Sequence, residues 1–220
     1  MYLKPLEEKF TLHRNAEQAE PMRKYMKGNF PFLGIRTPER RKLTKEFFAE
    51  TQILKEPFQH EFVSELWKKE EREYQYAACD YILSSLKKLV KDDMLFMERL
   101  ITEKSWWDTV DTLAAHPVGR NASDHPETIE DTVKDWAYGS HLWLRRTSII
   151  FQLRYKQNTS EGILYEFISQ NAGSKEFFIQ KAIGWALREY SKTNPESVRS
   201  FISSSPLAPL SIREGSKYLK

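Results

Sequence analysis

Apolar positions along this chain recur with helical spacing, in segments of about a dozen residues separated by short polar breaks. Such segments cover 57–69, 71–89, 92–104, 106–116, 127–138, 141–155, 160–170, 174–191 and 195–203. Helix starts punctuate them. In "TPERRKL", Thr37 is placed as N-cap with Pro38 in the first turn, and "NPESV" repeats the device with Asn194 and Pro195. Strand-like alternation is scarce, glycines number only 8, and no linker or low-complexity stretch interrupts the pattern. The pattern predicts an all-α fold in a single domain over 1–220.

The helices repeat. "WLRRTSIIFQLRY" (143–155) and "FIQKAIGWALREY" (178–190) read as two versions of one element, offset by 35 residues. Further steps back reach "EYQYAACDYI" and "KSWWDTVD". A helix pair returning at this interval is the signature of a helical solenoid, and the absence of the TPR residue pattern favours HEAT-like pairs. The expected architecture is a right-handed solenoid of HEAT-like antiparallel helix pairs with a concave groove.

The period also aligns chemistry. Asp111, Arg146 and Lys181 fall in one column, 35 residues apart. Trp107 stands one turn before Asp111 and Trp185 one turn after Lys181, so each ring shares its column's face. These helices are apolar around most of their circumference, so a charge on them must be paired or face an open groove. Both readings stand: a groove holding an acid, bases and two indoles, or an Asp111–Arg146 ion pair that merely bridges neighbouring repeats. Trp106 reads as core. Asp108 reads as part of a capping box, with Ser105 as N-cap. The Arg-x-Tyr endings read as helix C-terminal charge and packing.

Composition narrows the setting. The hydrophobic share is 40% and the charged share 30%, as in a soluble globular protein with a core of useful size. Cys79 is the only cysteine, which suits a reducing interior. The N-terminal stretch lacks a signal-peptide run, and no segment approaches the ~18 apolar residues of a membrane helix. A cytoplasmic protein without membrane attachment is expected. The net charge of +3 hints only mildly at anionic partners. No metal-ligand cluster, Walker loop or dinucleotide fingerprint is present, so neither a metal nor a cofactor is expected.

"FPFLGIRTPERRKL", "KSWWDTVD", "WLRRTSIIFQLRYKQ", "SKEFFIQKAIGWALREYSKTNP" and "LAPLSIRE" together resemble the AlkD-type DNA alkylation repair enzymes, from about residue 20 to the C-terminus. These are HEAT-like-repeat DNA glycosylases that remove alkylated purines. The resemblance implies that Asp111 is the essential aspartate and that Trp107 and Trp185 hold the lesion's deoxyribose. It implies that Arg146 engages the DNA backbone and that Tyr25 lines the same cleft. Arg36 departs from the pattern, standing where a glutamine is expected at the DNA-facing edge.

The chemistry agrees with the residues. An N3- or N7-alkylated purine is cationic and leaves without a general acid, so a site without the usual second carboxylate suffices. What remains is an oxocarbenium-like sugar, which a carboxylate such as Asp111 stabilises while orienting water, and which indole faces favour. Arg146, helped by Arg154, Lys181 and Arg188, would hold phosphates of duplex DNA. The expected protein is a monomeric, monofunctional alkylpurine DNA glycosylase that acts without base flipping. Two alternatives remain: a non-catalytic binder of damaged or branched DNA, and a HEAT-like protein-interaction scaffold. An aspartate open to a groove favours catalysis, and a buried Asp111–Arg146 bridge favours architecture.

Overall fold

The computed structural model describes residues 2–219. The chain is all-α, with no strand among the described residues. It divides into two compact units, Met1–Leu89 and Val90–Lys220.

The first unit holds α1 (Leu3–Leu12), α2 (Ala16–Tyr25), α3 (Thr37–Thr51), α4 (His60–Lys68) and α5 (Arg72–Ser84). Phe10, Phe47, Phe62, Leu66 and Tyr81 are buried at its centre. The extended stretch between α2 and α3 has no helical ladder of its own, so its amides need another acceptor. Glu73 of α5 is fully buried and supplies it, accepting from the N–H groups of Leu33, Gly34 and Ile35 at 3.0, 2.9 and 3.1 Å. Gly34 is required there. Its φ is +89°, and a Cβ would lie 1.9 Å from the Asn15 carbonyl oxygen.

The second unit holds α6 (Asp93–Thr102), α7 (Trp107–Leu113), α8 (Gly119–Asp124), α9 (Lys134–Tyr138), α10 (Leu142–Ile150), α11 (Glu161–Asn171), α12 (Phe177–Tyr190), α13 (Pro195–Ser204) and α14 (Pro209–Gly215). Within it, α7, α10, α12 and α14 pack in succession as one layer, while α9 packs on α11 outside them. The core between these layers includes Ile149, Leu164, Ile168, Ile179, Ile183 and Leu187. Gly184 sets the closest approach of α12 and α14: a Cβ there would lie 2.4 Å from the Glu214 Cβ.

The helical pattern survives in detail, with instructive differences. Asn194 caps α13 as expected, accepting from the Ser197 N–H at 3.3 Å. Thr37 is instead the first residue of α3, and Arg36 occupies the N-cap position. The Ser105–Asp108 capping box does not form. Trp106 is the N-cap of α7, and the Ser105 hydroxyl turns back to the Ile101 carbonyl at 2.6 Å. The segment read as a helix over 106–116 runs on through Pro117 to Asp124, because a π turn over Ala114–Val118 widens to absorb the missing proline N–H. Conversely, the helix expected over 141–155 stops at Ile150. There the Gln152 amide exchanges hydrogen bonds with the Ser160 backbone, taking from its N–H at 2.8 Å and giving to its carbonyl at 3.3 Å. That exchange turns the chain toward α11. The two endings read as Arg-x-Tyr are Arg154-Tyr155 and Arg188-Glu189-Tyr190, and both are packing features: Tyr155 donates to the Gly119 carbonyl and Tyr190 to Glu161.

Candidate functional site

The 35-residue column becomes a physical contact. Asp111 sits on α7 and Arg146 on the adjacent α10. The Arg146 Nε donates to Asp111 Oδ1 at 2.7 Å and its second edge nitrogen to Oδ2 at 2.8 Å, a parallel fork that fixes the carboxylate in orientation as well as position. The remaining guanidinium nitrogen donates to the Phe178 carbonyl of α12 at 2.5 Å. Arg146 is therefore buried, with 5% of its surface exposed, and its donors serve Asp111 and α12. The bridge foreseen as the architectural alternative is present.

Asp111 is nevertheless not sealed. Its side chain keeps 16% exposure and lines a cleft of about 340 Å³ with Thr112, Ala115, His116, Leu153, Arg154, Trp185 and Glu189. Burial pushes its pKa up from the ordinary aspartate value, and the Arg146 hydrogen bonds and charge oppose the rise. Behind the bridge, Trp106 packs edge-on against Trp143 and Phe178, with ring centroids 5.7 and 5.1 Å apart. Trp106, read from the sequence as core, is half-buried and packs on the core through these rings, and its buried indole N–H has no acceptor among the described residues. Trp107, the first residue of α7, is half-buried one turn before Asp111.

The basic residues sort into three groups. Arg154 is exposed and lines the Asp111 cleft. Lys181 and Arg188 converge on one carboxylate, Glu214 of α14, at 3.3 and 3.2 Å, and Lys217 joins them at 2.6 Å. The Lys217 hydrogen bond, with Lys181 behind it, holds the Glu214 pKa down at about 2, against the opposing effect of burial. Three cations on one anion leave that corner of the second unit with a local excess of positive charge. Tyr25 and Arg36 belong to the first unit. Tyr25 ends α2 with 68% exposure, and Arg36 is exposed with its Nε on the Gln18 amide oxygen at 2.7 Å.

Three neighbours of the site were not anticipated. Thr112 and His116 line the same cleft one and five residues after Asp111, spacings that the i,i+4 rule does not pair with it, and Glu189 lies one turn after Trp185, the same rule that pairs Trp185 with Lys181. The signal for Glu189 was present in the sequence. Glu214 gave none, since nothing local ties it to a column 33 residues earlier.

Among the described residues no group of three histidine, cysteine or acidic side chains stands together as a metal site, and no helix is long and apolar enough to cross a membrane. No curated protein matches the chain. A solved structure described as a predicted DNA alkylation repair enzyme from Enterococcus faecalis is 36% identical, with 94% of this chain and 96% of that one covered and a TM-score of 0.86. The family model described as DNA alkylation repair enzyme matches residues 6–219. With nearly the whole chain inside that match, the protein belongs to the DNA alkylation repair enzyme family.

Proposed function

We propose that this chain is a monofunctional DNA glycosylase that hydrolyses the N-glycosidic bond of N3- and N7-alkylated purines in duplex DNA. Family membership supports alkylation repair. The observation that carries the finer reading is the carboxylate of Asp111, gripped on both oxygens by Arg146 yet still facing a cleft that contains Trp185. A fixed anion in a largely desolvated wall stabilises a sugar cation far better than a mobile one in water, because no reorganisation is needed when charge develops. The alkylated base brings its own positive charge and departs as a neutral molecule, so no proton donor to the leaving group is required. Trp185 and Trp107 present electron-rich faces to the same electron-poor sugar.

In this reading Arg146 is a positioning residue for Asp111, a narrower role than the backbone contact implied by family resemblance. Phosphates fall to the exposed Arg154 and to the cation-rich corner of Lys181, Arg188 and Lys217; on the first unit, taken by itself, Arg36 and Tyr25 are the proposed DNA contacts. A single HEAT-like domain acting as a monomer in the cytoplasm, without a cofactor, completes the proposal. The buried bridge supports a second reading, a non-catalytic binder of damaged or branched DNA, in which Asp111 is architectural.

Release of free base from methylated duplex DNA, by wild type and Asp111→Asn, separates the two. Release that collapses in the variant supports the glycosylase. If neither protein releases base while both bind duplex, the non-catalytic reading replaces it. Equal release by both would remove Asp111 from the mechanism.

A further inference from the structure

The Asp111 carboxylate is well placed to face a cation, and it stabilises one only while it stays ionised. Both of its oxygens already accept from Arg146. Protonation would also discharge it at the moment the sugar cation needs it. Attack by water releases a proton nonetheless: the new C–O bond forms at the anomeric carbon, the glycosidic electron pair leaves with the purine, and one proton of the water must go elsewhere.

We infer that His116 takes that proton, as a neutral imidazole facing the Asp111 cleft. This rests on the glycosylase reading and adds to it a residue outside the expected site. His116 follows Asp111 in the same continuous helical run and lines the same cleft as Thr112 and Trp185. It is half-buried, and its ring has no hydrogen-bond partner among the described residues, which leaves a nitrogen to accept from water. The charged groups facing it are Asp111 on its own run, Arg154 from the turn after α10 and Glu189 of α12, itself bonded to Lys192 at 2.7 Å. Burial first, and the Arg154 charge second, hold the imidazole below the usual histidine range, so it is neutral and receptive at physiological pH.

Single-turnover base release against pH tests this, with enzyme in excess over methylated duplex. In wild type the rate falls as pH drops through the His116 pKa, below the ordinary histidine value. His116→Gln is expected to lower the rate at pH 7 by about a hundredfold and to abolish that limb, leaving only the fall set by Asp111. Arg154→Gln removes the repelling charge and moves the limb to higher pH, whereas the double variant shows no such limb. Titration of the histidine rings of wild type by NMR must find His116 neutral at pH 7, and this holds even if a variant folds poorly. A profile unchanged by His116→Gln, or a His116 ring charged at pH 7, overturns the inference while leaving the glycosylase standing. Absence of release by wild type sinks both.

Discussion

Glu73 in the first unit and Asp111 in the second are both acids held in the interior, and burial raises the pKa of each. Their surroundings differ in kind. Glu73 is fully enclosed and its oxygens accept from three consecutive backbone amides, so it serves a segment that has no helical ladder of its own. Asp111 is held by a side chain, Arg146, from an adjacent helix, and part of its surface faces a cleft. Burial of an acid therefore does not mark chemistry. The distinction lies in what the acid still faces after its partners are satisfied.

The contrast can be broken most sharply at Asp111 itself. Asp111→Asn is expected to cut base release by about 10²–10³-fold, the size seen when one preorganised charge-stabilising group is removed, with circular dichroism unchanged. Next in size is Glu214, whose depressed pKa contributes stability that is complete above the unfolded carboxylate range and lost as pH falls from about 5 toward 2. Denaturant titration of Glu214→Gln should show a deficit of roughly 3 kcal/mol at pH 7 that closes by pH 2. A deficit independent of pH would mean that the cations do not act through this carboxylate.

Glu73→Gln puts an NH₂ donor where an acceptor stood, and a loss of about 2 kcal/mol is expected, with base release per folded molecule unaltered. Because its pKa is raised, Glu73 runs opposite to Glu214: protonation is easier folded than unfolded, so the fall in stability on acidification does not originate there. Loss of activity in a folded Glu73→Gln would erase the division between the two acids. The smallest effect is at Asn194, where Asn194→Ala removes the α13 cap and should cost about 1 kcal/mol by thermal denaturation without changing activity.

Much of the site was legible because helices and repeats are local. The i,i+4 rule put Trp107 with Asp111, and the 35-residue period put Asp111 opposite Arg146, where the fork is found. The positions of helix ends were less legible. Ser105 is a good N-cap by type, yet its hydroxyl bonds backward to α6, and Pro117 did not end its helix because a π turn accommodated it. The similar segments 143–155 and 178–190 end differently, since only the first has a glutamine whose amide pairs with the backbone beyond it.

The sequence by itself determined that the chain is helical, where most helices lie, which residues recur in register and which family it resembles. The first three rest on spacing along the chain, which a helix converts into a shared face, and the resemblance rests on long matched segments. Only the tertiary structure decided that Arg146 is buried against Asp111, that Lys181 and Arg188 share Glu214, and that His116 joins the cleft. Those outcomes depend on which acceptors lie within hydrogen-bond reach once the layers of the second unit have packed. A buried charge takes the nearest partner that offsets its lost hydration, wherever in the sequence that partner comes from.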